Sequence, residues 1–317
     1  MRVLLIGAGG PAANSFARCL RLAGGYHIIG CNSSADDLLM AEADEFHILP
    51  RTGDNLVDDA SLLALAQDTK ADFAHSQPDE AVASLSRIRR SLRDWGCKTF
   101  LPPADHIRVC QDKWLSYLAW EKAGLPVPRT SLRPEDFYRK SEYVHIRPRS
   151  GAGGKNSFRA WSTDRHPISE GEYTIAEWLP GPTVTCQMIY RGGAVVASQL
   201  RRRLAWTNGD RGSARISQAF ADKSIDALSV QAVKALGGKP HGIYGVDMTL
   251  DAEGKPRLTE INIGRFFTTI DFFAACGLNM PDFYCKGAPL DEGVAMHNPL
   301  DGQKWIRCMD REPLLVG

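Results

Sequence analysis

Residues 241–262 read His-Gly-Ile-Tyr-Gly-Val-Asp-Met-Thr-Leu-Asp-Ala-Glu-Gly-Lys-Pro-Arg-Leu-Thr-Glu-Ile-Asn, and this stretch leaves the chain little local choice. Two apolar-rich runs, 243–250 and 257–263, flank the turn residues Asp251-Ala252-Glu253-Gly254, which predicts a β-hairpin. Side chains two apart on a strand share a face, so Glu260 and Asn262 point the same way. The hairpin can bring Asp247, 13 residues before Glu260, beside them. Ile243, Val246, Met248, Leu250, Leu258, Ile261 and Ile263 make both strands at least half buried. Carboxylates there are costly unless paired or bound to a cation. Two carboxylates and an amide oxygen form the oxygen-rich set that a hard cation such as Mg²⁺ takes, usually with substrate phosphates completing its shell. A solvated acidic face is the bland alternative, and on this pattern alone the two readings are evenly balanced.

A chain of 317 residues has room for two or three domains and a large core. Its formal net charge of +1 sets up no global field toward nucleic acid or an acidic membrane. No apolar run approaches the roughly 20 residues that span a bilayer. The N-terminal run Met1–Ile6 passes straight into a glycine turn, unlike a signal peptide. The eight cysteines are scattered without a Cys-x-x-Cys pair. A reduced, cytoplasmic protein without a cysteine-ligated metal is the expectation.

The first third alternates short apolar strands with amphipathic helices. Strands are expected at 2–6, 26–31, 46–49, 73–76 and 99–101, with helices at 12–23, 56–69 and 79–95. This is a βαβ pattern that opens a doubly wound, Rossmann-like parallel sheet. Gly7-x-Gly9-x-x-Ala12 resembles a dinucleotide fingerprint. Asn32, however, stands where the ribose-binding acid belongs, and Asp36 and Asp37 come later, so a purely structural glycine turn is the favoured reading.

In the middle of the chain, Asp112-Lys113 opens a helix that Gly124 stops. A strand at 143–147 runs into Pro148-Arg149-Ser150-Gly151-Ala152-Gly153-Gly154-Lys155, a glycine-rich loop with cations whose N–H groups can approach an anion, but without P-loop spacing. A strand at 174–178 meets the stiff Leu179-Pro180-Gly181-Pro182, and a further strand runs over 183–189. An acid, Glu177, beside a hinge with free backbone groups could hold a flat heterocycle by its edge.

These parts follow one another in an order that resembles the ATP-grasp superfamily, most closely its carbamoyl-phosphate-synthase-like branch, over nearly the whole chain. The resemblance implies an α/β chain: a Rossmann-like pre-ATP-grasp domain over 1–112, then a two-lobed α+β ATP-grasp domain over 113–317 with a lid at about 143–178. It implies ATP in a cleft, with Lys113 and Arg147 on the phosphates and the loop around Ser150, Gly153 and Gly154 over them. Glu177, Trp178 and Leu179 would meet the adenine. Asp247, Glu260 and Asn262 would hold one or two Mg²⁺, with Mn²⁺ as an alternative. Arg265, Arg203 and Arg211 would serve the transferred phosphoryl group. The implied reaction is phosphorylation of a carboxylate to an acyl phosphate, followed by attack of an amine. The partners are thus a small carboxylate and a small amine, with neither nucleic acid nor membrane; many relatives form dimers, so a homodimer is in view.

Three departures stand out. Arg147 occupies the position of a lysine, and Thr183 that of a glutamate facing the ribose. Between Trp161 and Tyr173, Pro167 and Gly171 argue against a full lid helix. On the basic run 199–206, alternation puts Arg201 and Arg203 on one face and Arg202 on the other; Arg202 or Arg203, with Arg211, are the candidates to reach substrate. Phe266, Phe267, Phe272 and Phe273 are expected in the core, and 285–317 as a closing strand and loops. Competing readings are an acyl-phosphate-forming enzyme that needs a partner subunit, a nucleotide-binding regulatory module without turnover, and a nicotinamide-dependent oxidoreductase resting only on the Gly7 turn.

Overall fold

The computed structural model describes residues 1–52, 56–137, 142–151, 156–164, 168–169, 171–208, 211–287, 301–307 and 314–316. Among them, no helix is long and apolar enough to cross a membrane. Seven described cysteines are free thiols.

The chain begins with four parallel strands in the spatial order Glu45–Ile48, His27–Asn32, Arg2–Ile6, Phe73–Ser76. Helix Pro11–Ala23 buries Ala13, Phe16, Ala17 and Leu20, the face read from its spacing. Two expected boundaries move. The helix of 56–69 starts at Asp59, because the Asp58 carboxylate caps it by accepting from the Ser61 N–H at 2.7 Å, and Leu56–Val57 is a short strand. The strand expected at 99–101 reduces to one bridge between Phe73 and Lys98, and the Phe100 carbonyl instead accepts from the Tyr284 hydroxyl at 3.1 Å.

The glycines of the turn meet close structural contacts. Gly7 and Ala8 both donate their N–H to the Cys31 carbonyl at 2.9 and 3.1 Å, and Gly10 donates to Gly7 at 3.3 Å. Gly9 sits at φ +90°, where a Cβ would lie 1.8 Å from the Asp37 carbonyl oxygen. The helix Ala35–Leu39 therefore packs directly against the turn.

An antiparallel sheet of seven strands follows, in the order Pro256–Ile263, Gly242–Leu250, Thr183–Arg191, Ala194–Asn208, Arg211–Ala219, Lys304–Ile306, Leu314–Val316. Lys304–Ile306 and Leu314–Val316 replace the single closing strand expected near the C-terminus, and Cys285 lies in the helix Met280–Lys286. A smaller sheet, ordered Thr130–Ser131, Tyr173–Glu177, Tyr143–Pro148, Phe158–Trp161, forms a flap with its own core of Phe137, Val144, Ile146 and Ile175. None of the described residues between Trp161 and Tyr173 is helical.

The parallel sheet is not a separate bead. Helix Pro11–Ala23 packs on helices Ile270–Ala275 and Met280–Lys286. The Ser15 hydroxyl donates to Asp271 at 2.6 Å, and the Tyr26 hydroxyl donates to Asp282 at 2.7 Å. Phe266, Phe267, Phe272 and Phe273 are all buried in the shared core, as expected. His75 lies fully buried in it, stacked on Phe16 at 4.2 Å and edge-on to Tyr284 at 5.6 Å, and among the described residues neither ring nitrogen has a hydrogen-bond partner.

Burial holds the His75 imidazole neutral and pushes its pKa down to about 3 from 6.5. Below pH 6.5 the unfolded chain takes up a proton that the folded one refuses, so stability falls by about 1.4 kcal/mol per pH unit until the folded pKa is reached. His75→Phe is expected to flatten this acid limb between pH 6.5 and 4 in urea denaturation curves. An unchanged pH slope would remove His75 from the account.

Candidate active site

The hairpin forms as read. Gly242–Leu250 pairs antiparallel with Pro256–Ile263, with Asp247 opposite Glu260 and Gly245 opposite Asn262. Asp251 ties the turn by accepting from the Glu253 and Lys255 N–H groups at 3.1 and 2.8 Å. One Asp247 oxygen accepts from the Thr185 hydroxyl at 2.6 Å; the other accepts from the Asn262 amide at 3.1 Å and pairs with the Arg203 guanidinium. Burial pushes the Asp247 carboxyl up, but Arg203, Thr185 and Arg201 outweigh it, and the pKa ends below the usual range. The Asn262 oxygen accepts from Arg265, which is held in turn by Asp79 at 2.5 Å. Asp79 opens the helix Asp79–Asp94, which follows the last strand of the parallel sheet. Glu260 faces Arg147 at 4.0 Å.

Cations gather opposite. Asp112 caps the helix Lys113–Lys122, accepting from the Trp114 and Leu115 N–H groups at 2.9 and 3.3 Å. The same carboxylate takes Arg149 at 2.5 Å, and the Lys113 N–H donates to the Arg149 carbonyl at 2.9 Å, so the helix start is stitched to the strand Tyr143–Pro148 and its loop. Lys113 Nζ donates to the Gly151 carbonyl at 2.8 Å. Burial lowers the pKa of both Lys113 and Arg147; Glu260 raises each in part. Ser150 lines the cleft, whereas Gly153 and Gly154 lie outside the described residues.

At the hinge, the Glu177 N–H donates to Arg129 at 3.0 Å and the Trp178 N–H to Tyr143 at 3.2 Å. The Leu179 N–H makes no hydrogen bond among the described residues, and Leu179 lines the cleft. Trp178 stands edge-on to His145 at 5.8 Å, with the Arg159 guanidinium 5.1 Å over its ring. Thr183 shares a 3.3 Å hydroxyl contact with Thr249. Gly181 lies so close to the hairpin that a Cβ there would be 2.5 Å from the Leu250 carbonyl oxygen and 2.8 Å from its Cβ. Gly181→Ala is therefore expected to cost about 1–3 kcal/mol of overpacking and to displace the hinge. Chemical denaturation and nucleotide affinity measured together check this, and a variant with both unchanged would contradict it.

The floor is the strand Ala194–Asn208. Arg203 enters the cleft; Arg202 points to the other face, its guanidinium 5.2 Å over Phe220, so of those two candidates Arg203 remains. Arg211 opens the strand Arg211–Ala219, and its side chain lies outside those described; Gly212, Ser213 and Ala214 beside it line the cleft. In all, Lys113, Arg147, Ser150, Glu177, Trp178, Leu179, Thr183, Arg203, Asp247, Glu260, Asn262 and Arg265 line one cleft of about 430 Å³, inside the roughly 300–1,000 Å³ of small-molecule sites. Sequence reasoning missed Arg201, His145, Thr185 and Asp79. Alternation with Arg203 placed Arg201 on the right face; nothing in the sequence marked Asp79, which arrives by tertiary packing.

Among the described residues, no group of three or more His, Cys, Asp or Glu could hold a metal ion. The oxygen set here is two carboxylates and an amide, facing lysine and arginine across a cleft between two antiparallel sheets. A family model of the ATP-grasp domain matches residues 110–269, half of the chain and all of this cleft's hairpin. The chain belongs to the ATP-grasp superfamily. Its fold is shared with solved structures of low identity. L-amino acid ligase from Bacillus licheniformis superposes with a TM-score of 0.69 at 16% identity, over 96% of this chain and 79% of that one. N5-carboxyaminoimidazole ribonucleotide synthetase from Thermotoga maritima gives 0.64 at 16%, over 96% and 80%. The biotin carboxylase domain dimer of 2-oxoglutarate carboxylase from Hydrogenobacter thermophilus, solved with MgADP and bicarbonate, gives 0.69 at 15%, over 96% and 74%. This ATP-grasp chain thus combines a parallel N-terminal sheet, a flap sheet and a large antiparallel floor, as they do.

Proposed function

We propose that this ATP-grasp chain is a cytoplasmic ligase that uses ATP to join a small carboxylate to an amine, releasing ADP and phosphate. The observation that carries the reading is the meeting, in one cleft, of the Asp247–Glu260–Asn262 oxygens with Lys113, Arg147, Arg203 and Arg265. The donor chemistry fits Mg²⁺: all three donors are oxygens, and Asp247 is held ionised although buried. Those residues would hold one or two ions, with Mn²⁺ as the alternative, which would supply charge neutralisation on the phosphates. The division into 1–112 and 113–317, with a lid over about 143–178, is part of the proposal.

Lys113 and Arg147 bind the phosphate oxygens, and the loop of Ser150, Gly153 and Gly154 covers them. The free Leu179 N–H, with Glu177 and Trp178, takes the adenine edge, and Thr183 faces the ribose. Arg203, Arg211 and Arg265 stabilise charge on the phosphoryl group as it passes to the substrate carboxylate. The acyl phosphate so formed is attacked by the amine, and the cleft provides proximity and keeps water away. A homodimer is the proposed assembly.

The test is ADP and phosphate release from Mg·ATP against pooled amino acids and small carboxylates, with Glu260→Gln as blank. Release that depends on one acid and one amine is the expected result. Tight nucleotide binding without release for any pair would overturn the ligase reading in favour of a regulatory module or of an enzyme completed by a partner subunit.

A further inference from the structure

We propose that Arg201 anchors a non-reacting carboxylate of the substrate, at the end of the cleft away from the metal-binding acids; this deepens the ligase reading and rests on it. Glu260, Asp247, Thr185 and Arg201 lie directly opposite one another on four adjacent strands. With strands about 4.8 Å apart, the Arg201 backbone stands about 10 Å from that of Asp247. The row therefore runs from an acidic pole to a cationic one across a single face.

Arg201 differs from the other arginines set below the surface of the cleft; Arg159, which also lines it, is exposed and lies over the Tyr143 and Trp178 rings. Arg203 pairs with Asp247, Arg265 with Asp79, and Arg147 faces Glu260. Arg201, only 3% exposed, has no carboxylate within ion-pair distance among the described residues. Its contacts are the Thr269 hydroxyl at 2.7 Å and the Phe267 ring, 4.0 Å beneath the guanidinium, and its Nε has no partner among the described residues. Burial pulls its pKa well down and the like charge of Arg203 adds to that, while Asp247 offsets part of it from beyond ion-pair distance. On the same sheet face, Gln199, two residues earlier, and Ser217, opposite Arg203, are buried with unpartnered polar atoms. A buried cation with no carboxylate in direct contact, opening on a cleft, is costly until an anion arrives.

The anion is a carboxylate. Phosphate falls to Lys113 and Arg147 at the far pole, and a planar carboxylate matches the guanidinium fork over the flat Phe267 ring. The carboxylate that reacts must meet the γ-phosphate at the acidic pole, about 10 Å away, so the one on Arg201 is spectator to the chemistry. It belongs either to an amino acid acting as the amine or to a second carboxyl of the acid, and the product keeps it free.

The experiment compares wild type with Arg201→Met, which keeps length and packing, and Arg201→Lys, which keeps charge but loses the fork. Each is assayed for ADP release with the active substrate pair and with each partner's spectator carboxyl blocked as its amide. In wild type, one amide fails, and which one identifies the carboxylate's owner. Arg201→Met is expected to raise KM for that substrate by about 10- to 100-fold, to leave KM for Mg·ATP in place, and to lose the discrimination between acid and amide; Arg201→Lys recovers part of it. Undiminished discrimination in Arg201→Met overturns the proposal. If no pair gives ADP release in wild type, the ligase reading fails on its own. The anchor is then read by calorimetric titration of glutamate and the pooled amino acids into protein holding Mg²⁺ and a non-hydrolysable ATP analogue. Binding lost in Arg201→Met sustains the proposal; no binding, or binding equal in both proteins, overturns it.

Discussion

Glu260→Gln is expected to lower Mg-dependent ADP formation by about 10²- to 10³-fold with little change in melting temperature. Glu260 sits in the pairing register opposite Asp247, so its carboxylate shares that residue's sheet face. Its ion-pair partner among the described residues is Arg147 at 4.0 Å, long enough that the neutral amide leaves little structural cost. What the substitution removes is one negative charge from the proposed metal set, where each charge acts on developing charge in a closed cleft. A coupled ADP assay over a range of Mg²⁺ concentrations, paired with thermal denaturation, separates the two effects. Full activity with an unaltered Mg²⁺ dependence would remove Glu260 from the metal set.

Asp247→Ala is expected to lose both activity and stability. Asp247 and Arg203 form an ion pair whose side chains are 10% and 16% exposed, and Asp247 also takes the Thr185 hydroxyl and the Asn262 amide. Removing the carboxylate leaves Arg203 buried beside Arg201 with no counter-charge, a change of about 3–5 kcal/mol for a buried pair broken on one side. Asp247→Leu combined with Arg203→Met replaces both charges by apolar volume and is expected to recover most of that loss while turnover stays absent. Urea denaturation of the single and double variants reads the coupling directly. A single variant as stable as wild type would show that the pair carries no weight in the fold.

These expectations differ in how early they could be formed. The face that Glu260 takes follows from the sequence alone, because a two-residue period and one turn decide it. The Asp247 prediction was half available. Its place on the hairpin followed from the same period, but its partner Arg203 lies on a strand two removed in the sheet, and only the alternation within 199–206 hinted at its face. The helix boundary that moved to Asp59 did so through local chemistry present in the sequence, an aspartate cap, whereas the strand lost after Lys98 gave way to a tertiary contact, the Tyr284 hydroxyl on the Phe100 carbonyl.

The sequence by itself determined the elements, their order and the polar residues that each presents, because periodicity, capping and turn chemistry act within a few residues. It named twelve of the side chains that line the cleft. Tertiary structure alone decided which charges face one another. Asp79 reaches Arg265 across 186 residues, and Ser15 reaches Asp271 across 256, because the parallel sheet and the large antiparallel sheet share one apolar core. It also decided that Arg201 is a buried cleft arginine with no carboxylate in ion-pair contact among the described residues, since pairing between distant strands is set by the register of a whole sheet, which no local run of residues encodes.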